Sequence, residues 1–365
     1  MSFTNWPIDF SKPKLFLAPM EGVVDAVNRR LLSSLGATDL CFTEFVRVVD
    51  HLLPERVFLQ YCPELLTHSR TPSGTPVVVQ LLGSQPQPMA ENAQRAIEMG
   101  SLGIDLNFGC PAKTVNNSDG GAALLKTPER LVRVVEAVRK AVPQTHPVSV
   151  KMRLGFDHPH NSLEIAKAIE AAGASWLVVH ARTKMDGYKP PAFWDYIAPL
   201  NAHLKIPVIA NGEVWTKEDY HRCRSVSGSQ HVMLGRGWVA NPGLGSEIKT
   251  NAKKLTWPQW QNYFLEFFKL SQEYRHERYA VQRTKQLARI MSQTYSEASE
   301  LLQKIKTFET APPMLEILCN EFGSQFASDI CSDLDTHGSN AKLHNNTAQL
   351  IIAHKLNSSE RTAHV

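Results

Sequence analysis

A cysteine stands between a glycine and a proline in the stretch "DLNFGCPAKTVNNSDGGAALL", which covers residues 105–125. A short apolar run ends at Asn107, and Cys110 opens a loop rich in Asn and Gly before the next helical pattern. A small structural cysteine is expected on a strand or a helix, as at Cys41 or Cys223. The place of Cys110, in a loop that follows a strand, therefore favours a chemical role for its thiol.

Lys151 is the second candidate for chemistry, because it lies within the apolar run "VSVKMRLG". The same end of the neighbouring run "WLVVHAR" carries His180. A buried lysine can lie against a flat anionic cofactor, or it can form a Schiff base as in an aldolase. Spacing alone leaves both readings open. No carboxylate triad or histidine cluster with metal-ligand spacing accompanies Lys151, so no metal is predicted.

Two glycine-containing stretches have the composition of phosphate-binding loops. "ANGEVW" contains Gly212, and "GRGWVANP" begins with Gly235 and Arg236. Glycine lets the backbone approach an anion closely, and arginine can make a bidentate contact with phosphate. Glycines that merely form turns are the alternative at both places.

These residues must be positioned by the elements around them, and eight strand-like apolar runs alternate with helical patterns. One helical pattern, at 128–142, places Leu131, Val134, Val135 and Val138 on a single apolar stripe. Near-continuous apolar strands joined by helices indicate a parallel sheet covered on both faces. Eight such units predict an α/β fold, a (β/α)8 TIM barrel over residues 1–254. The runs are "LFLAPM", "LCFTEFV", "VVVQLLG", "GIDLNFG", "VSVKMRLG", "WLVVHAR", "IPVIANG" and "HVMLGRG".

The barrel interpretation predicts that polar side chains collect where the strands end, since active sites of this fold lie at the carboxyl ends of its strands. In the sequence, each of the eight runs carries such residues. The loops after the seventh and eighth strands, where barrels often hold phosphate, are the two glycine-containing stretches. The residues at these strand ends, most of them polar or charged, are Pro19, Met20, Glu21, Glu44, Arg47, Gln80, Asn107, Cys110, Lys151, Arg153, His180, Arg182, Asn211, Gly212, Glu213, Gly235 and Arg236.

Composition narrows the possible protein classes. The chain has 365 residues, of which 43% are hydrophobic, and six widely spaced cysteines without a C-x-x-C pair. This pattern predicts neither a disulfide framework nor a zinc site, and it fits the reducing cytoplasm. No apolar stretch has the length of a membrane span, so no membrane association is expected. The net charge is only +4, so binding to nucleic acid would require local clusters of basic residues.

The alternation of strands and helices ends near residue 254, and residues 255–310 are predicted to form a helical domain. Its segment "YRHERYAVQRTKQLARIMS" places Arg278, Lys285 and Arg289 on one side of a helix. This basic side could be an ordinary solvated face or an RNA-binding surface. The segment 311–365 is a tail without an assigned role. The opposite, packed side of the helix is predicted to contain Val281, Thr284, Ala288 and Met291.

Eight motifs in their order along the chain resemble those of the tRNA-dihydrouridine synthase family. The resemblance covers about residues 14–307 and is strongest to the bacterial C-type subfamily, which acts on uridine 16. Ala181 departs from the commoner "HGRT" motif, and Phe108 stands inside "N-x-G-C-P"; neither change removes a reacting group. The motifs are "APMEGVVD", "TEFVRVVD", "QLLGSQP", "DLNFGCPAKTV", "VSVKMRLG", "VVHARTKMDGY", "PVIANGEVW" and "LGRGW".

The resemblance implies an FMN-dependent enzyme that reduces the C5–C6 bond of a D-loop uridine in tRNA, with NADPH or NADH as reductant. Cys110 would be the catalytic acid that protonates C5, because an ordinary thiol has a pKa of about 8.5 and is mostly protonated at neutral pH. No G-x-G-x-x-G follows a strand, so the nicotinamide would visit the flavin transiently. The expected partner is tRNA and not DNA, and the expected state is a monomer.

The resemblance also implies roles for individual residues. Lys151 would stabilise negative charge on the reduced flavin. The residues expected to hold FMN are Pro19, Met20, Glu21, Gln80, Lys151, His180, Asn211, Gly212, Glu213, Gly235 and Arg236. The residues expected to bind uridine or the tRNA backbone are Arg47, Asn107, Tyr188, Arg278, Arg283, Lys285, Arg289 and Lys306.

Two alternatives from other classes remain at this point. One is a small-molecule enzyme on the same barrel, either a dihydroorotate-type flavin oxidoreductase or an aldolase that uses Lys151. The other is a tRNA-binding protein with a vestigial site. The basic C-terminal helix argues against the first, and the presence of Cys110, Lys151 and Arg236 argues against the second.

Overall fold

The computed structural model describes residues 6–117 and 119–322. The chain divides into two compact units between Lys254 and Leu255. Residues 323–365, which form most of the segment predicted as an unassigned tail, lie outside the described residues.

The first unit is built on a closed parallel sheet. β1 pairs with both β2 and β9, and β2 also pairs with β4, so the sheet has no free edge. The predicted (β/α)8 TIM barrel is confirmed. Within the described residues the strands are β1 (Leu15–Leu17), β2 (Leu40–Phe42), β3 (Val46–Arg47), β4 (Val77–Leu82), β5 (Ile104–Phe108), β6 (Val148–Arg153), β7 (Leu177–His180), β8 (Val208–Asn211) and β9 (His231–Leu234).

The second predicted strand, "LCFTEFV", is divided in the structure. β2 and β3 both lie along β4, and Thr43 begins the interruption between them. The backbone N–H of Gln80 donates to the hydroxyl oxygen of Thr43 at 3.0 Å, in place of a backbone carbonyl. Because the Thr43 hydroxyl replaces a backbone acceptor at this point, the single predicted strand is divided into two.

Helices connect the strands of the first unit and cover the outside of the barrel. α5 buries Leu131, Val134, Val135 and Val138, as its periodicity predicted. The helices of the first unit are α1 (Ala26–Ser34), α2 (Glu55–Tyr61), α3 (Pro86–Glu98), α4 (Lys113–Asn116), α5 (Pro128–Ala141), α6 (Ser162–Ala171), α7 (Ile197–His203), α8 (Lys217–Ser227), α9 (Arg236–Ala240) and α10 (Leu244–Thr250). Short 3₁₀ helices cover Pro63–Thr67, Gly121–Lys126 and Trp194–Tyr196.

The lower part of the barrel is filled by apolar side chains from different strands. Trp6 stacks on Trp176 with ring centroids 5.2 Å apart, and Phe10 packs on Trp176 and on His231. Because Trp176 precedes β7 and His231 begins β9, this N-terminal segment closes the barrel at the amino ends of the strands. The interior layer above it includes Phe16, Phe42, Val78, Val178, Ile209 and Met233.

The described part of the second unit, residues 255–322, is helical. Phe322 packs on Trp257 and Phe264, with ring centroids 5.6 and 5.7 Å away. The helical part therefore continues beyond residue 310, the predicted end of this domain. Pro312 and Pro313 lie in the first turn of the helix that begins at Ala311, where proline is tolerated. The elements are a 3₁₀ helix at Trp257–Trp260, α11 (Gln261–Tyr274), α12 (Glu277–Met291), α13 (Ser296–Ile305) and α14 (Ala311–Phe322).

The described helices include none that is long and apolar enough to cross a lipid bilayer.

Candidate active site

The polar residues at the strand ends face one cavity because the strands are in register. Asn107 pairs with Lys151, Arg153 pairs with His180, and His180 pairs with Asn211. Side chains alternate between the two faces of a strand, so these positions share the barrel interior. They open into a cavity of about 480 Å³. The predicted residues that line it are Pro19, Met20, Glu21, Gln80, Asn107, Cys110, Lys151, His180, Tyr188, Asn211, Gly212, Glu213, Gly235 and Arg236.

The Cys110 loop is held by two asparagine side chains. The Oδ1 atom of Asn107 accepts hydrogen bonds from the backbone N–H groups of Gly109 at 2.9 Å and Cys110 at 3.0 Å. The Nδ2 atom of Asn116 donates to the Cys110 carbonyl at 3.0 Å. Burial raises the pKa of the Cys110 thiol above its ordinary value, and Glu21 adds to this effect. The thiol is therefore protonated at neutral pH and can serve as an acid.

Below Asn107 lies a hydrogen-bonded chain inside the barrel. The Nδ2 atom of Asn107 donates to Gln80 Oε1 at 2.8 Å, and Gln80 Nε2 donates to Asp105 Oδ2 at 2.6 Å. The Ser149 hydroxyl donates to the other oxygen of Asp105 at 2.5 Å. Burial raises the pKa of Asp105 to about 6, although both hydrogen bonds oppose that change. The amides of Gln80 and Asn107 thus bind protein atoms, and both residues also line the cavity in which they were predicted to contact a ligand.

Positive charge dominates the cavity. Burial and the neighbouring Arg153 lower the pKa of Lys151 to about 8. The pKa of His180 lies well below its usual value, first because of burial and then because Arg153 and Lys151 are near. His180 is therefore neutral at neutral pH. A low histidine pKa is a sign of the positive potential that an anionic ligand would relieve.

The glycine-containing loops carry an ion-pair network. The fully buried Arg182 forms an ion pair with Glu213, and the Arg236 guanidinium lies 3.8 Å from the same carboxylate. Burial alone would raise the pKa of Glu213, but its hydrogen bonds with Arg182 and Trp215 hold it below its usual value. This carboxylate offsets only part of the positive charge, so Arg236 can also bind an anion.

Two glycines keep the loop backbone close to this network. Gly212 has a φ of +120°, and a Cβ there would lie 2.9 Å from the His180 ring. A Cβ on Gly235 would lie 3.4 Å from the sulfur of Met20. Larger residues would fill the space against the cavity wall, so both glycines fit a cradle for a phosphate-bearing ligand.

Tyr188 stands at the mouth of the cavity between charged groups. The guanidinium carbons of Arg153 and Arg236 lie 5.1 and 5.2 Å from its ring centroid, and the His180 ring lies 6.0 Å away. The side chain is 54% exposed. An aromatic ring placed in this way can stack on a nucleobase.

The remaining predicted residues lie outside this cavity. Arg47 donates to the Thr114 carbonyl at 3.3 Å and is thereby attached to the loop after β5. In the helical unit, Arg278, Arg289 and Lys306 are exposed, and Lys285 is half-buried.

Arg283, which was predicted to contact the RNA backbone, is buried in the structure. It is 6% exposed, its guanidinium carbon lies 5.6 Å from the Phe267 ring centroid, and it donates to Gln286. The packed face of α12 is otherwise as predicted, with Val281, Thr284, Ala288 and Met291 buried. Periodicity gave the packed direction of the helix, but it did not reveal that α11 covers its flank at Arg283.

The sequence placed Arg153 and Arg182 among the strand ends at the expected active site but assigned them no individual role, and it did not single out Asp105. Asp105 lies two residues before Asn107 on the same face of β5, so the strand period could have placed it under the site. Arg153 donates to the carbonyl groups of Gly109 and Thr183, both at 2.8 Å, and so ties the Cys110 loop to the loop after β7.

Comparison with known proteins agrees with the family resemblance of the sequence motifs. A family model described as dihydrouridine synthase (Dus) matches residues 16–316. The chain is 49% identical over 305 residues to a tRNA-dihydrouridine(16) synthase of Shewanella oneidensis, a match that covers 84% of this chain and 97% of the relative. It is 50% identical over 309 residues to a protein of the same name from Haemophilus influenzae, with 84% and 99% covered.

A solved structure of a 2-naphthoyl-CoA reductase complex superimposes with a TM-score of 0.51 at 12% identity. The superposition covers 65% of this chain and 50% of that one. At this identity, the likeness concerns the fold alone.

Proposed function

The chain belongs to the dihydrouridine synthase family, and from this premise we propose that it reduces a D-loop uridine of tRNA to 5,6-dihydrouridine. FMN is the proposed bound cofactor, and NADPH is the proposed reductant. Uridine 16 is the proposed target, because similar curated proteins carry that position in their names. The observation that carries the proposal is the Cys110 thiol at the wall of a positively charged cavity that also contains Lys151.

The residues of the cavity fit FMN. The cavity volume of about 480 Å³ lies within the usual range for small-molecule sites. Gly212, Gly235 and Arg236 suit the phosphate, because the first two leave room for it and the third supplies a cation. Lys151 suits the ring that becomes negative on reduction.

When bound and reduced, FMN would supply a hydride for C6 of the uracil. The reaction is complete when C5 takes a proton, and the Cys110 thiol is the proposed donor. Its raised pKa keeps the proton on sulfur until negative charge develops at C5. Asn107 holds the backbone immediately before the thiol, Asn116 holds the Cys110 carbonyl after it, and together they fix the direction of proton transfer.

The exposed basic residues of the helical unit are proposed to bind the RNA backbone. Arg278, Arg289 and Lys306 are available to phosphate on this unit, and Lys285 is half-buried beside them. Tyr188 is proposed to stack on the target nucleotide, which must leave its place in the folded tRNA to react. Contacts by the helical unit would offset the cost of that extrusion, which is a few kcal/mol.

The test is reduction of tRNA by the purified protein. We expect a yellow protein that releases FMN on denaturation and that forms dihydrouridine at position 16 of an unmodified tRNA when NADPH is added. Product at position 17 or 20 alone would contradict the proposed target but not the reaction. A colourless protein whose Lys151 is trapped by borohydride with a carbonyl substrate would instead support the aldolase alternative, which the lowered pKa of Lys151 also suits.

A further inference from the structure

We propose that a second cleft on the barrel rim, beside the Cys110 loop, binds a phosphate group of one of the two substrates. This inference rests on the proposed function, because both proposed substrates, tRNA and NADPH, carry phosphates. The cleft has a volume of about 320 Å³. Its charged lining residues are Lys113, Asp119, Lys126, Arg130 and Lys184.

Three loops at the carboxyl ends of the strands form the cleft. Most of the lining comes from the segment after β5, Phe156 comes from the loop after β6, and Lys184 comes from the loop after β7. The last two loops are attached to each other, because the backbone N–H of Lys184 donates to Gly155 at 3.0 Å and that of Met185 donates to Phe156 at 3.1 Å. The walls are thus joined by the fold before any ligand binds.

Two lysines of the cleft are held at one aromatic ring. The Lys126 ammonium lies 3.8 Å from the Phe156 ring centroid, and the Lys184 ammonium lies 4.9 Å from it. The ring attracts each cation, but the two like charges repel each other. An anion bound in the cleft would relieve this repulsion.

The acidic complement of the cleft is too small to neutralise it. Asp119 is the one carboxylate among the described lining residues, and it lies 3.3 Å from the Arg130 guanidinium. Lys113, Lys126 and Lys184 therefore remain as excess positive charge. The amide of Asn116 and the hydroxyl of Thr127 add hydrogen-bonding groups to the lining. Lysine ammonium groups with neutral donors suit a phosphate ligand.

The cleft shares a wall with the active-site loop. Asn116 lines the cleft, and its Nδ2 atom donates to the carbonyls of Cys110 at 3.0 Å and Ala112 at 2.7 Å. A phosphate bound here would lie next to the loop that carries the thiol. It would belong to a ligand that also reaches the main cavity, either as an RNA backbone phosphate near the target base or as a phosphate of the nicotinamide dinucleotide.

The test compares two double variants of the full chain that remove the same charge. The first double variant, Lys126→Ala with Lys184→Ala, removes both ammonium groups that lie near the Phe156 ring. Lys140→Ala with Lys205→Ala is the matched control, because these exposed lysines precede β6 and β8 at the opposite end of the barrel. Lys126→Gln with Lys184→Gln repeats the test while preserving most side-chain volume. FMN content and the melting temperature verify that each variant is folded.

If the cleft binds an RNA phosphate, the Lys126 and Lys184 variants should bind tRNA more weakly and have an unchanged KM for NADPH. The slope of log affinity against log salt should be reduced by about one for each lysine. If the cleft binds a phosphate of the dinucleotide, the same variants should have a KM for NADPH raised roughly tenfold and an unchanged salt slope for tRNA binding. Either result supports the subsite and identifies its source. If the cleft variants and the control pair have the same salt slope for tRNA binding and the same KM for NADPH, the proposed phosphate site is overturned. Failure of the wild-type protein to form dihydrouridine would instead refute the proposed function.

Discussion

The side-chain oxygen of Asn107 lies 3.0 Å from the backbone nitrogen of Cys110 and accepts its hydrogen bond. Through Gln80, the same side chain is linked to the buried carboxyl group of Asp105. Ionised Asp105 can only accept hydrogen bonds, so it orients the Gln80 amide with its oxygen toward Asn107. The Asn107 amide is then oriented with its oxygen toward the loop. The position of the thiol thus depends on a chain that begins inside the barrel.

We expect Asn107→Ala to lower tRNA turnover by roughly 10- to 100-fold, because the loss of this acceptor leaves the N–H groups of Gly109 and Cys110 unpaired at a cost of about 1–3 kcal/mol. Flavin reduction by NADPH should keep its rate. Amide hydrogen exchange at both residues should become faster, which distinguishes a positioning role from a contact with uracil alone. Asn107→Asp should restore part of the protection, since it can accept both hydrogen bonds but cannot donate to Gln80. Unchanged exchange together with a raised KM for tRNA would refute the positioning role.

We expect Asp105→Asn to alter the pH dependence of stability. A carboxyl pKa of about 6 in the fold, above the usual 3.8, favours the protonated form. That contribution to the free energy of unfolding is fully present below pH 3.8 and is lost as pH rises through about 6. Because asparagine does not titrate, the variant should gain on the wild type by up to about 3 kcal/mol between pH 4 and pH 7.5. Urea unfolding at both pH values measures this change.

The exposed Asp157 supplies the control for this experiment. Asp157→Asn makes the same chemical change at an exposed position, so it shows what replacement of a carboxylate by an amide does away from the barrel interior. Parallel stability curves for Asp105→Asn and the wild type would contradict a raised pKa at Asp105.

The barrel and most cavity residues could be predicted because two simple rules apply to them. Apolar runs identified the strands, and the location of active sites at strand ends identified residues such as Lys151 and His180. Asp105 was missed because a carboxylate within an apolar run carries no local sign of its partners, which come from β4 and β6. The division of β2 from β3 depends on the Thr43 hydroxyl, which competes with a backbone acceptor in a way that propensity does not reveal.

We expect Cys110→Ala to lower reduction of tRNA by about 10²- to 10⁴-fold, the usual value of general acid catalysis. Its rate of flavin reduction by NADPH should be unchanged, because the thiol acts only on the uracil. The raised pKa places loss of the catalytic proton above the ordinary thiol value of about 8.5, so deprotonation of Cys110 should lower wild-type turnover only beyond that value. Stopped-flow measurements of the two half-reactions separate these effects.

The buried Cys223 offers a matched control for the loss of a thiol. Cys223→Ala should retain reduction of tRNA. Full activity of Cys110→Ala would require another proton donor.

The last prediction separates two arginines of α12. Arg283 is buried against Phe267 and Tyr279, so Arg283→Ala should lower the stability of the helical unit by about 1–3 kcal/mol through lost packing and cation–π contacts. Arg278 is exposed, so Arg278→Ala should leave stability unchanged while it reduces the salt slope of tRNA binding by about one. Thermal unfolding and tRNA titrations at several salt concentrations measure the two effects. A reduced salt slope for Arg283→Ala with an unchanged melting temperature would mean that Arg283 leaves its packed position to bind phosphate. That result would support the predicted contact between Arg283 and tRNA, and the packing of Arg283 on Phe267 and Tyr279 would then belong to the free protein.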